Sequence, residues 1–415
     1  MIRKSLIVKL FDGFTMQRWN DQLRPTELVE ADRQAHSISL AYFLARSIED
    51  EEEIDMQDLI EQYVFRYLER IIITDIKPPV FAKIKANDSQ YKALRTFVKK
   101  TMLPYLDGLP REFINKFSHW CDHPYENNNT LTRQIIDIAR ADATLWEFDL
   151  LKLANPTGFG MDDLSNDMEL LKNKHIELRR HLITKLETKH IREENKTDLF
   201  ANENYSSYSQ LVKMFGQMRF QVRWAQLHRE PHTSVLGHSF YVALLSYFFS
   251  LLSDACPKRI YNNFFTGIFH DLPEVFTRDV ISPLKTNIPG LGSLLKKIEH
   301  EEMDRKFKML IPEKLRAEMF YFIDEEFADL TIQNDEIVEH KNGIMAEYNK
   351  DKLNPRDGTI VRLADHLGAY IEADMALCNG ATSSEFINAK ERIRETYSEK
   401  QIAGLDLKSL FLDFK

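Results

Sequence analysis

An all-α fold is the expectation, and three observations carry it. Glycine and proline number only 14 each in 415 residues, so few positions break a helix. Long segments place apolar residues at i, i+3 and i+4, the spacing of one helix face. Alternating strand patterns are scarce; the main β-branched run, RIIITDI from Arg70 to Ile76, is short.

The elements follow in order. The opening MIRKSLIVKLFDGF holds a short apolar run broken by Lys9 and Asp12, a poor signal peptide. A charged helical segment runs from about Met168 to Arg192, and the polar, Asn- and Ser-rich stretch Glu193 to Gln210 reads as a linker. It divides the chain into 1–155, a connector 156–210, and 211–415. The two large pieces share a weak repeat. Met16–Arg46 and Phe220–Ser250 both carry Arg-Trp, a gap, then His-Ser opening an apolar helix. TDIKPPV (Thr74 to Val80) parallels RDVISPL (Arg278 to Leu284), and DIARADATLWEFD (Asp137 to Asp149) parallels VRLADHLGAYIEAD (Val361 to Asp374). Three matches in one order favour duplication over an unrelated first domain.

Composition excludes several classes. A net charge of −9 speaks against a broad nucleic-acid footprint, while leaving room for a local phosphate pocket. The cysteines Cys121, Cys256 and Cys378 are far apart, which fits a reducing cytoplasm and no thiolate metal site. The most apolar run, Phe240 to Leu252, is too short to span a bilayer. A soluble cytoplasmic protein is expected.

Chemistry concentrates in the second half. His238, His270, Asp271 and Asp365 lie on or beside apolar helices, which aim such groups at one point in a core. Mixed imidazole and carboxylate suits one divalent ion: Co, Mn, Zn, Ni or Fe. His270 and Asp271 point about 100° apart on a regular helix. They converge if the helix ends there, and Pro273 favours an ending. Taken singly, a histidine on an apolar face is usually a satisfied core residue; the set carries the reading. Such an ion lowers the pKa of bound water. Glu274, one turn beyond His270, is placed to exchange a proton. Asp279 is a candidate for orienting water or a substrate hydroxyl. Arg223, Arg278 and Lys285 are candidates for holding phosphate, with Arg229 in reserve. Trp224 is a candidate stacking surface.

These residues resemble the HD-domain metal-dependent phosphohydrolases, whose signature is a His, a His-Asp pair and a later Asp. The match is closer to the bacterial 5′-deoxynucleotidases. Arg-Trp precedes His238, HDLPEVFTRD carries the pair, Pro283-Leu284-Lys285 follows, Ile323-Asp324-Glu325 comes next, and Ala364-Asp365 with Ala369-Tyr370 closes the set. The resemblance spans about Met214 to Ser398. It implies an HD-domain helical bundle with one transition-metal ion on His238, His270, Asp271 and Asp365. Glu274 would be the acid/base and Asp279 a second catalytic carboxylate. Arg223 and Trp224 would meet the phosphate and sugar of a deoxynucleoside monophosphate. Three features depart from the family. Gly237 stands where Glu is usual, Arg278 where Gly is usual, and REPHTSVLGHS lacks an acidic-Asn pair. They put the substrate in question more than the metal.

The first half then looks like a degenerate HD-like copy. His36 aligns with His238, Asp75 with Asp279 and Asp142 with Asp365. Arg66, Tyr67 and Arg70 fall where His270, Asp271 and Glu274 stand, so no metal is expected there. The subgroup forms homodimers; this chain is expected either to do so or to carry its own partner as an intramolecular pseudo-dimer. The leading function is phosphate release from (deoxy)nucleoside 5′-monophosphates. The alternatives are a phosphodiesterase or pyrophosphohydrolase acting on a cyclic or signalling nucleotide, and a non-catalytic nucleotide sensor. A phosphodiesterase would need a second metal, for which His232, His300 and His366 are the spare histidines. No membrane and no stable nucleic-acid partner is expected.

Overall fold

The computed structural model describes residues 2–74, 76–126, 130–187, 206–278, 280 and 288–414. Asp75, Asp279 and Lys285, and most of the expected linker, lie outside the described residues.

The fold is all-α with a few short strands. The first half comprises α1 (Lys4–Phe11), α2 (Glu30–Ser47), α3 (Met56–Ile73), α4 (Pro78–Ala86), α5 (Asp88–Met102), α6 (Arg111–Asp122) and α7 (Leu131–Ala154). Next come α8 (Met161–Asn173), α9 (Ile176–Leu186) and α10 (Ser207–Met218). The second half begins with α11 (Val235–Leu252), α12 (Pro257–Phe269), the single turn α13 (Glu274–Thr277) and α14 (Leu291–Glu302). Past a π turn at Met303–Phe307 lie α15 (Lys308–Leu310) and α16 (Glu313–Ile323). The chain closes with α17 (Gly358–Cys378), α18 (Ser384–Tyr397) and α19 (Leu407–Leu412). The β-branched run at Arg70 is the last turn of α3 rather than a strand. An antiparallel ribbon, β1 (Asp329–Gln333) with β2 (Glu336–Glu339), sits between α16 and α17. Its turn residues Asn334 and Asp335 both take positive φ, as a tight hairpin requires. β3 (Arg356–Asp357) pairs with β1.

Local chemistry sets the helix starts that matter. Ser234 caps α11 by accepting from the Gly237 amide at 2.8 Å. Asp357 caps α17 through the Ile360 amide at 3.0 Å and also pairs with Arg259. Pro257 opens α12, where its missing N–H costs nothing.

The core is continuous across both halves. Helices α2 and α11 pack against each other, and each is buried on nearly every face. For α11 burial needs only apolar residues; it is also the one described helix apolar and long enough to cross a membrane, and it lies inside the protein. α2 instead buries Glu30, Asp32, Arg33, Gln34 and His36, which demands internal partners. Tyr42 of α2 meets Phe265 and Phe269 of α12 at 4.8 and 5.2 Å between ring centres. Asp32 of α2 and Gly237 of α11 face each other: a Cβ on Gly237 would lie 2.4 Å from Asp32 Oδ1.

Several details occur twice in the same order. Gln17 bridges to Val29, and Val222 to Ser234. Trp19 and Trp224 have φ of 54° and 57°. Arg18 and Trp19 donate to Glu147 of α7; Arg223 and Trp224 donate to Glu372 of α17. Positive φ recurs at Thr74 and Arg278, just beyond α3 and α13. These anchors correct two expected correspondences. Arg33, not His36, stands as far beyond Trp19 as His238 does beyond Trp224. Arg140, not Asp142, precedes Glu147 as Asp365 precedes Glu372. His36 lies edge-on to Trp146 at 5.4 Å, and burial pushes its pKa down to about 3. Asp142 accepts from Arg179 at 3.1 Å and from the Tyr208 hydroxyl at 2.8 Å.

Candidate active site

Four elements converge behind α11. His238 lies one turn into α11 and is fully buried. His270 caps the end of α12, and Asp271 starts the turn before α13. Asp365 comes from the middle of α17. Ligand atoms of His238, His270 and Asp365 lie within 4.8 Å of one another. His238 Nε2 is 2.9 Å from Asp365 Oδ1, and His270 Nε2 is 3.3 Å from Asp271 Oδ2. α12 does end where Pro273 made an ending expected, and this brings the adjacent side chains of His270 and Asp271 together.

The imidazoles are oriented from behind. His270 Nδ1 lies 2.9 Å from the Gly267 carbonyl, which leaves Nε2 facing the cluster. Among the described residues that buried Nε2 has no hydrogen-bond partner. His238 Nδ1 lies 3.2 Å from Glu372. This is the arrangement of metal-ligating histidines, whose second nitrogen is held by a carbonyl or carboxylate. A divalent ion therefore fits the donor set.

Glu372 is the residue that the sequence reading missed. It is buried, and it accepts from Arg223 Nε at 3.2 Å, Trp224 Nε1 at 2.8 Å and Thr233 Oγ1 at 2.8 Å. A signal was present: it follows Asp365 by two helical turns and so shares its face. Burial alone would raise its pKa, but Arg223, His238 and Arg229 outweigh that and hold it well below the carboxylate range. At Asp271 burial is likewise outweighed, by His270 and Arg223, so its pKa is lowered. His270 is pulled down by burial, yet Asp271 and Asp365 win and push it up to about 9. Positive charge belongs where the imidazoles and carboxylates meet.

The other expected residues divide. Glu274 opens α13, buried, one turn past His270. Arg223 reaches the cluster, with Nη1 3.6 Å from Asp271 Oδ2. Trp224 turns its N–H to Glu372 and packs against Phe386 at 5.2 Å. Arg278 is exposed, at φ 65° and ψ 166°. That conformation suits glycine, which explains the family preference at this place. Arg229 is a support rather than a phosphate ligand, since it donates to the Pro231 carbonyl at 2.8 Å and to Thr233. Gly237 departs from the family at a contact with the first half, not in the cluster. The spare histidines stay apart: His232 is near Glu27, His300 near Asp304 and Asp324, and His366 near the Tyr397 hydroxyl.

Comparison with known proteins places the same half of the chain in a known family model. Residues 215–394 match the HD domain family model. The 5′-deoxynucleotidase of Erwinia tasmaniensis is 25% identical over 205 residues, covering 48% of this chain and 88% of the relative. Those of Photobacterium profundum and Vibrio atlanticus are 26% and 25% identical over 196 residues, covering 46% of this chain and 85% of each relative. The second half of the chain is an HD domain of the phosphohydrolase type, related to the 5′-deoxynucleotidases.

Proposed function

We propose that this chain is a metal-dependent phosphomonoesterase releasing phosphate from (deoxy)nucleoside 5′-monophosphates. The observation that carries the reading is the convergence of buried His270 Nε2, 3.3 Å from Asp271 Oδ2, with ligand atoms of His238 and Asp365. The names of the related proteins support the substrate class. His238, His270, Asp271 and Asp365 would hold one divalent ion, which when bound supplies an acidified water and offsets phosphate charge. Glu372 fixes His238 and draws Arg223 toward the cluster. Arg223 is the proposed guanidinium for a phosphate oxygen, in place of its present contact with Asp271. Glu274 holds the proton for the leaving 5′-oxygen. On the sequence resemblance, Asp279 is the proposed second catalytic carboxylate, and Arg278 and Lys285 are proposed phosphate-binding cations. The indole of Trp224, fixed by Glu372, forms a wall for the sugar. The test is phosphate release from a nucleotide panel with added divalent metals. Asp271→Ala should abolish release; activity surviving in that variant would refute the assignment.

We also propose that 1–155 is a degenerate HD-like domain, 156–210 a connector and 211–415 the working domain, with the first half acting as an in-chain partner. The paired anchors and the α2–α11 contact support this. The full chain should sediment as a monomer; a stable homodimer would refute the in-chain pairing.

A further inference from the structure

We infer that the centre of the first half is an anion site that takes a phosphate group on Arg33, Arg66, Arg70 and Arg140. The places matching His238, His270 and Asp365 hold Arg33, Arg66 and Arg140, and Arg70 matches Glu274. Every ligand position but one has become a guanidinium; the exception is Tyr67, whose hydroxyl donates to the Leu10 carbonyl.

Three of the four arginines, Arg33, Arg70 and Arg140, act on one carboxylate. Glu30, buried at the start of α2, lies 3.6 Å from Arg33 Nη1, 3.6 Å from Arg70 Nε and 3.0 Å from Arg18 Nη1. Arg140 acts on the same carboxylate from α7. Arg66 is one turn before Arg70 on α3 and shares its face. It lines a cavity of about 250 Å³ with Lys85, Arg95, Arg133, Gln62 and Tyr91. The acidic groups there are engaged: Glu69 pairs with Arg95 at 2.9 Å and Glu126 with His119 at 2.6 Å.

Donors are left over. Arg33 and Arg66 are more than nine-tenths buried. Among the described residues, Arg33 Nε, Arg66 Nε and Nη2, and Arg140 Nη1 have no hydrogen-bond partner. A buried charged donor without an acceptor is costly, and a guanidinium never gives up its proton to escape. Glu30 also serves Arg18, and although Glu147 acts on Arg33 and Asp137 on Arg140, the leftover donors stay without a hydrogen-bond partner. A metal is excluded, and the complement is an anion with several acceptor oxygens. Phosphate, carrying about −1.5 to −2 charge when monoesterified and matching the guanidinium fork, fits better than a monovalent ion. Burial and the neighbouring Arg140 push the Arg33 pKa down, the mark of cations held close without enough counter-charge.

The test uses the full chain carrying His270→Gln and Asp271→Asn, so that the second-half cluster cannot account for binding. Thermal unfolding and calorimetry are followed with inorganic phosphate, a deoxynucleoside monophosphate and a deoxynucleoside triphosphate at matched chloride. Saturable binding of at least one is expected, weakened at least tenfold by Arg66→Gln and by Arg140→Gln. Arg66→Lys, which keeps the charge without the fork, should fall between. Tighter binding of a nucleotide than of phosphate would assign the site to nucleotides, and equal binding to free phosphate. No saturable binding beyond the chloride control, or binding unchanged in folded Arg66→Gln or Arg66→Lys, would overturn the inference. Turnover is not read, so failure of the proposed enzymatic function leaves this outcome distinct.

Discussion

Glu372→Gln isolates what the buried carboxylate behind His238 does. The substitution keeps the shape and one acceptor oxygen but removes the charge facing Arg223, His238 and, less directly, Arg229. Breaking a buried ion pair costs about 3–5 kcal/mol, and the retained oxygen places the loss near the lower end, about 3 kcal/mol. Loss of a carboxylate behind a ligating imidazole weakens metal binding about 10–100-fold. Glu147→Gln is the internal control. Glu147 is equally buried and accepts from Arg18, Trp19 and Arg219, but no metal cluster stands beside it. Urea unfolding should show comparable losses for both variants, while a competition titration against a fluorescent chelator should show weakened metal binding only for Glu372→Gln. The sign with pH follows from the lowered pKa of Glu372. Its stabilisation is present above the ordinary carboxylate value of 4.5 and is lost as pH falls through the depressed folded value. The variant should lack that part of the acid sensitivity. Equal metal affinity in wild type and Glu372→Gln would refute the role of the carboxylate in orienting His238.

Asp32 is pushed up to about 6 by burial, against an ordinary 3.8, despite Arg219 and the Ser234 hydroxyl at 2.6 Å. A raised acid binds its proton more tightly when folded, so stability is lost as pH rises from about 4 through 6. Asp32→Asn should therefore stabilise by about 2–3 kcal/mol at pH 8 and by little at pH 4, as read by denaturant midpoints. Gly237→Glu, restoring the residue usual in the family, drives a side chain into Asp32 and Phe14. It should cost about 3 kcal/mol or more and be partly rescued by Asp32→Ala; a neutral effect would contradict the close contact. Arg278→Gly should relieve the left-handed backbone and raise stability by about 1 kcal/mol, a gain that calorimetry would detect.

The sequence made the helices legible because their period is long and their breakers few. It also brought together His238, His270, Asp271 and Asp365, whose residue types are diagnostic as a set. It did not reveal Glu372, because a lone glutamate on an apolar helix face carries no motif; only packing shows what it holds. The β1–β2 ribbon escaped because two short strands offer little periodicity, although Asn334-Asp335 was a hairpin signal. The correspondence of His36 with His238 failed for a related reason. Matching residue types favoured the nearest histidine, whereas the backbone bridge at Val29 sets the register three residues earlier, at Arg33.

The facing of Asp32 and Gly237 carries a consequence for how such a protein can change. In a dimer of identical chains, a residue on the twofold axis meets its own copy, so a buried aspartate there would confront a second aspartate. If the two halves are paired copies, as proposed, joining them in one polypeptide removes that restriction. One side can hold the carboxylate and the other make room for it, and each half can then drift without carrying its partner along.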